Sequence, residues 1–227
     1  MSSIKRGFLF LVLFAYWNIQ GQENLTGFWQ PQMGLGYQLS EQYAHNFSVA
    51  SRFFIVEEGE TTFSNRQIDV VHFSNYKIRE NQSLALGIQY RFRENFDGGA
   101  NELRLTQQYN QRSRPFVVRF GHRIRSEQRI TSVRTTHRFR YRFALDFPLQ
   151  GEKLDVGEAY LVATVEPLLS VAKGRNPEYD GRISAQIGWQ LQKDFKIQFG
   201  TEYRMEDFTN TLPEHIFFIL SSVQLTL

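Results

Sequence analysis

Residues 133–147 read VRTTHRFRYRFALDF and place four arginines within nine positions. From position 138 onward the arginines alternate with aromatic residues, so that Arg138, Arg140 and Arg142 share one parity while Phe139 and Tyr141 share the other. Successive side chains of a β-strand point to opposite faces. The stretch therefore predicts a strand with one basic and one aromatic face, rather than a basic surface patch for nucleic acid.

The same period of two continues through the chain after residue 22, and no helical period replaces it. Short connections rich in turn-forming residues, such as DGGA at 97–100, separate the alternating segments. We therefore predict a single β-domain spanning residues 22–227. Its candidate strands are 26–39, 43–56, 64–78, 83–95, 101–112, 115–130, 133–147, 157–169, 182–192, 195–206 and 215–227.

The amino terminus is typical of a secretory signal peptide. Lys5 and Arg6 precede the apolar run 8–17, and small and polar residues follow it up to Gly21. A run of this length is too short for a membrane-spanning helix, which needs about 20 residues. We predict that residues 1–21 are removed, which lowers the formal charge from +3 to +1. The mature chain then lacks a net basic footprint, so we expect no nucleic-acid partner.

The composition excludes several kinds of site. The 227 residues contain no cysteine, which rules out disulfides, zinc-thiolate sites and a cysteine nucleophile. The sequence also has no glycine-rich phosphate loop, no paired-carboxylate motif and no cluster with metal-ligand spacing. We predict neither a cofactor nor a bound metal.

Two architectures accept long alternating strands: a soluble β-domain and a transmembrane β-barrel, which places its apolar face outward. Soluble strands typically have about 5–6 residues, whereas these segments are long enough to cross a bilayer at a tilt. The polar faces carry arginine, glutamine and glutamate, and aromatic residues lie near strand ends. We predict an antiparallel transmembrane β-barrel in the bacterial outer membrane, surrounded by outer-membrane lipid.

The number of strands is harder to predict than the strands themselves. Eleven segments are visible, of which Ser64–Ile78 has the weakest pattern. Single-chain bacterial barrels have even strand numbers. We therefore predict twelve strands, with a short additional strand within 22–30, and ten strands as the alternative.

The inward face predicts a charged lumen. It has two interpretations: a structural network of arginines and carboxylates, or an anion-selective constriction that binds a small anionic solute. Expected counter-charges are Glu94, Glu102, Glu127, Asp146, Glu158, Glu166 and Glu202. The predicted lumen residues are Arg91, Arg93, Glu102, Arg104, Arg119, Arg123, Arg125, Glu127, Arg129, Arg134, Arg138, Arg140 and Arg142.

Catalysis is a weaker alternative that depends on HFSN at 72–75. His72 and Ser74 share one face, and their spacing resembles the His-x-Ser of outer-membrane phospholipase A barrels, in which an imidazole activates a hydroxyl. The glycine and asparagine context of those enzymes is not evident. His45, His122, His137 and His215 have no metal-ligand spacing.

The mature chain resembles an uncharacterised outer-membrane barrel family of Bacteroidetes-type bacteria, domain of unknown function 2490. The similar stretches are TGFWQPQMGLGYQLSEQY at 26–43, NELRLTQQYNQR at 101–112, FGHRIRSEQRI at 120–130 and RFRYRFALDFPL at 138–149. The resemblance implies an outer-membrane β-barrel and no known activity. We expect a small pore or solute-binding barrel; a lipid-acting barrel enzyme and a structural envelope protein are the alternatives.

Overall fold

A computed structural model describes residues 25–57 and 59–227, so the predicted signal peptide lies outside the described residues. Eleven β-strands form within these two ranges, and each overlaps one segment predicted from the sequence. They are β1 (Leu25–Gln38), β2 (Tyr43–Glu57), β3 (Glu60–Arg79), β4 (Gln82–Phe92), β5 (Glu102–Ser113), β6 (Arg119–Ile130), β7 (Thr135–Pro148), β8 (Ala159–Ala172), β9 (Glu178–Gln190), β10 (Phe195–Glu206) and β11 (Glu214–Thr226).

The strands form a closed barrel. Each strand pairs antiparallel with the next one in sequence, and β1 pairs with β11 in parallel from Leu25↔His215 to Gly36↔Thr226. Consecutive strands of such a meander alternate in direction, so the first and last of an odd number run the same way. Closure therefore has to be parallel, and it leaves no open sheet edge.

The predicted number of twelve strands is wrong, as is the alternative of ten, because the described chain closes with eleven. The even-number rule assumes antiparallel closure, which this barrel does not use. The weakest segment, Ser64–Ile78, belongs to β3, which is the longest strand with 20 residues. Register shifts near Arg52 and Phe54 of β2 interrupt its pairing and accompany its mixed pattern.

The barrel has an apolar outer surface and a polar interior. In the quoted stretch, Phe139 and Tyr141 are 49% and 41% exposed, whereas Arg138 is 9% exposed. The same contrast recurs around the barrel, since Leu86 and Ile124 are among many exposed apolar side chains. An ordinary soluble β-domain has the opposite arrangement. The predicted alternation of β7 is therefore confirmed.

Two rims bound the barrel. We call the rim that carries the turns 39–42, 80–81 and 191–194 the first rim. The second rim carries the connections 93–101 and 131–134 at the opposite ends of the strands.

Close backbone approach between β9 and β10 requires a glycine. A Cβ atom added at Gly200 would lie 2.2 Å from the carbonyl oxygen of Ala185, so the backbone itself would have to move. By contrast, a Cβ atom at Gly181 of β9 would meet no atom within 4 Å.

We predict that Gly200→Ala lowers the free energy of unfolding by about 1–3 kcal/mol through overpacking. Gly181→Ala, which adds the same methyl group to the same strand pair, should change it by no more than about 1 kcal/mol. Urea titration of refolded protein, followed by heat-modifiable gel migration, measures both. Equal midpoints for the two variants would contradict the close approach.

Candidate functional site

The interior of the barrel contains a cavity of about 760 Å³. Its wall is strongly basic: among the residues that the structure describes, thirteen arginines and four acidic residues line it. The arginines are Arg52, Arg66, Arg91, Arg93, Arg104, Arg123, Arg125, Arg129, Arg138, Arg140, Arg142, Arg182 and Arg204, and the acidic residues are Asp69, Glu202, Glu206 and Glu214.

The β6–β7 hairpin supplies the densest part of this charge. Arg123 pairs in register with Arg142, and Arg125 pairs with Arg140. The period of two sends all four side chains inward, because each pair of arginines on a strand is separated by one outward-facing residue. Like charges directly opposite each other on neighbouring strands are destabilising. The hairpin therefore needs carboxylates close by.

Two buried glutamates meet this need, and each is shared by two arginines. Glu127 Oε1 accepts hydrogen bonds from Arg125 Nη1 at 3.2 Å and from Arg140 Nη1 at 2.8 Å. Glu166 accepts from Arg140 Nε at 2.8 Å and from Arg142 Nε at 2.5 Å. The two glutamates are 3% and 2% exposed, respectively. Three of the four guanidinium groups thus share two carboxylates, and these six side chains together keep two positive charges in excess.

Other strands repeat the pairing of arginine with carboxylate. Asp69 binds Arg91 in a two-pronged arrangement, with N···O distances of 2.7 Å and 2.8 Å. Glu102 is shared by Arg104 and by Arg129, whose Nε donates to it at 3.0 Å. Charge-assisted bonds of this kind are stronger than neutral hydrogen bonds. Carboxylates that bind the cavity arginines from outside its wall are Asp97, Glu102, Glu127, Glu166 and Asp180.

Some arginines of the cavity have no close ion-pair partner within residues 25–57 and 59–227. Arg52 donates from Nε and Nη2 to the neutral Gln30 at 3.1 Å and 2.9 Å, and Arg123 donates from Nε to the neutral Asn110 at 3.2 Å. Arg182 has its nearest carboxylate oxygen at 3.9 Å. The interior therefore retains a positive excess after its internal pairing.

Aromatic rings contact several of these arginines beside the parallel pairing of β1 with β11, which we call the β1–β11 seam. Phe28 and Phe218 are fully buried inside the barrel. The guanidinium carbons of Arg52 and Arg204 lie 4.8 Å and 3.9 Å from the ring centre of Phe218, and that of Arg66 lies 5.0 Å from Phe28. A cation over an aromatic face is attracted by the ring quadrupole. The seam is therefore packed from inside by rings and guanidinium groups.

The connection 93–101 is fastened to the cavity by one carboxylate. Asp97 Oδ1 and Oδ2 accept from Arg93 Nε at 3.2 Å, and Asp97 lies 3.4 Å from Arg66 Nε. Although burial opposes ionisation, the hydrogen bonds from Arg93 and the Gly99 amide and the charges of both arginines hold the pKa of Asp97 below its ordinary value. The carboxylate thus stays ionised and holds this connection over the second rim.

The structure places most of the predicted lumen residues on or directly behind the cavity wall; Arg119 and Arg134 are the exceptions. Arg119 is half exposed at the first rim, where its Nε donates to Asp146 at 2.8 Å. Arg134 is exposed in the connection before β7 and borders a second cavity of about 390 Å³. Both lie at strand ends, because β7 begins only at Thr135 and Arg119 is the first residue of β6, and their assignment to the lumen stays a prediction. The role of the other residues stays a prediction.

Two expected counter-charges also lie outside the lumen. Glu94 belongs to the connection after β4 and accepts from Asn101 Nδ2 at 3.1 Å. Glu158 precedes β8 and accepts from the backbone amide of Asp155 at 3.0 Å. Both positions fall just beyond strand ends, where the period of two no longer determines which way a side chain points.

The interior charges that the sequence reasoning missed include Arg52, Arg66, Asp69, Arg182 and Arg204. The alternation around Arg182 does place it on the polar face of its segment, and this signal could have identified it. Arg52 and Arg66 lie where β2 and β3 lose a continuous register, so a simple count by two does not find them.

The proposed catalytic pair is not assembled in the structure. His72 and Ser74 lie on the outer surface of β3, but no hydrogen bond joins them in the part of the chain described. Ser74 Oγ is hydrogen-bonded to the hydroxyl of Tyr43, and His72 Nε2 lies 2.9 Å from His45 Nδ1. The serine therefore has a phenol rather than an imidazole as its partner, and the arrangement does not support nucleophilic activation.

Residues 25–57 and 59–227 contain no group of three or more histidine, aspartate or glutamate side chains that could hold a metal ion. The same residues include no helix that is long and apolar enough to span a membrane.

The fold and the cavity together define a closed all-β barrel with an arginine-lined interior. A family model described as a protein of unknown function, DUF2490, matches residues 26–213. The chain belongs to this family, as its sequence resemblance predicted. A comparison with curated proteins finds no match.

We predict that Glu166→Gln lowers the free energy of unfolding by about 3–5 kcal/mol, because it leaves the buried guanidinium groups of Arg140 and Arg142 without their shared charge. The matched control is Asp146→Asn, which removes the partner of the half-exposed Arg119 and should cost less than about 1 kcal/mol. Urea unfolding of the refolded barrels provides the comparison. Similar losses for the two variants would argue against the shared buried carboxylate.

Proposed function

We propose that this protein is a bacterial outer-membrane β-barrel whose arginine-lined interior binds small anions and lets them pass. The proposal combines two features of the described chain. One is the apolar outer surface, and the other is the positive excess of the interior cavity.

The outer surface supports a membrane location. Its exposed side chains include Leu86, Ile88, Ile124 and Phe199, which would be costly to keep in water. The strands have 11–20 residues, and about 9–11 tilted residues cross a bilayer. Aromatic rings stand outward near strand ends, as Tyr37 and Tyr76 do toward the first rim and Trp29 and Tyr203 toward the second. Such girdles are expected at the two interfaces of a membrane barrel.

The observation that carries the proposed activity is the imbalance of charge inside the barrel. The thirteen arginines of the cavity wall are answered by four acidic residues on the wall and five behind it. A purely structural network would be expected to neutralise its buried charges. A low-dielectric wall that retains positive charge instead attracts anions and repels cations.

Reconstitution of the refolded protein in a planar bilayer tests this function. Under a potassium chloride gradient, we expect a reversal potential of the sign that marks chloride as the more permeant ion. Absence of conductance, or selectivity for potassium, would contradict the proposed passage of anions.

The contribution of Arg52 and Arg182 to anion selectivity can be measured separately. We expect the double variant Arg52→Gln and Arg182→Gln to move the reversal potential toward zero, because it removes two of the incompletely neutralised charges. Lys193→Gln, in the exposed turn 191–194 of the first rim, removes a charge outside the cavity and should leave the potential close to that of the wild type. An unchanged potential in the double variant would show that these charges do not set selectivity.

A further inference from the structure

One row of the interior is free of long side chains. Gly121, Ala144, Thr164 and Ser184 are register partners across β6, β7, β8 and β9. A Cβ atom added at Gly121 would meet only Ala144, at 3.7 Å for the nearest atom. This row lies between the Arg123–Arg142 pair and the Arg119–Asp146 pair at the first rim.

Arg123 and Arg142, which lie next to this row, have unused donors. A guanidinium group carries five N–H donors. Within the described ranges, Arg123 uses its Nε for Asn110 and Arg142 uses its Nε for Glu166. The terminal nitrogens of both side chains have no hydrogen-bond partner there, although both residues line the central cavity. Two forks of donors from neighbouring strands therefore open into the cavity beside this row.

Hydroxyl groups complete the polar surroundings of the row. Thr164 Oγ1 and Ser184 Oγ are hydrogen-bonded to each other at 2.7 Å and are both buried. Only one of the two hydroxyl protons is used by this bond, so the other can donate to a bound ligand. Both residues lie on the same register row as Gly121.

The local charge indicates the valence of the ligand. Among Arg123, Arg125, Arg140 and Arg142, the last three share Glu127 and Glu166, whereas Arg123 has no carboxylate partner within the described ranges. The group of six side chains therefore keeps a net charge of two. A compact divalent oxyanion would neutralise this excess and could accept from both guanidinium forks, which match phosphate-like geometry. A monovalent halide would neutralise only one of the two positive charges. As a single atom, it would not accept from a guanidinium fork in the way that two oxygens do.

We propose that Arg123 and Arg142 form a binding site for a divalent oxyanion of the phosphate type, seated over the row of small residues that begins with Gly121 and Ala144. The site is reached from the first rim past uncharged cavity residues, among them Asn46, Ser48, Gln186, Gln198 and Ser222. This inference rests on the proposed anion function and deepens it by assigning a site and a ligand class.

Isothermal titration calorimetry of the refolded barrel with inorganic phosphate tests the site. At pH 7.5, we expect saturable binding of phosphate and of sulfate, and none of chloride at matched ionic strength. Arg123→Gln and Arg142→Gln should each weaken phosphate binding at least about tenfold, since each removes one charge-assisted fork. Lys193→Gln, in the exposed turn 191–194 and outside the cavity, should bind as the wild type does.

A second variant separates occupancy of the space from loss of charge. Gly121→Val keeps every charge and fills the row, so it should also abolish phosphate binding while the barrel still shows heat-modifiable gel migration. Wild-type protein without saturable phosphate binding, or unchanged binding in Gly121→Val, would overturn the site. An anion-selective current without phosphate binding would reject this binding site but not the proposed passage of anions. Phosphate binding without conductance would support the binding site and reject the proposed passage.

Discussion

The parallel pairing of β1 with β11 is the constraint on which the rest of the structure depends. It closes an eleven-strand meander, satisfies the last backbone edge and so divides every strand into an inner and an outer face. Without closure, the alternation of side chains would not define an interior. With it, the period of two assigns apolar residues to one surface and charges to the other. The buried rings of Phe28 and Phe218 lie at this seam and carry three guanidinium groups on their faces.

The interior is organised by sharing of carboxylates. Glu127, Glu166 and Glu102 each bind two arginines, so a few acidic residues hold many basic ones in fixed positions. Such sharing orients the guanidinium groups without neutralising all of them. The positive excess is then concentrated where the pairing stops, at Arg52 beside the seam and at Arg123 on the β6–β7 hairpin. A lumen built in this way combines a wall of fixed side chains with a local excess of positive charge.

Much of the fold could be predicted because a strand records its two faces directly in the sequence. All eleven segments were found, and the inward direction of Arg138, Arg140 and Arg142 followed from parity. The predicted number of strands was wrong because an even number is required only when the first and last strands pair antiparallel. That pairing joins residues at opposite ends of the chain, so the pattern of a single strand does not reveal it. Parity does not determine the direction of the Arg134 side chain, because this residue lies beyond the end of its strand. Arg52 was missed beside a register shift, and the sharing of Glu166 depends on the alignment of β7 with β8, which one strand's pattern does not contain.

We propose that lipid covers the outer face of the barrel while water and ions occupy the inner one. Site-directed spin labels at four consecutive positions of β8 test it most directly, since the chain has no native cysteine and labels can be placed one at a time at Val162, Ala163, Thr164 and Val165. In lipid vesicles, we predict that labels at 163 and 165 are relaxed mainly by oxygen, and that labels at 162 and 164 are more accessible to a water-soluble nickel complex. Equal accessibility at all four positions, or the opposite alternation, would contradict the claim.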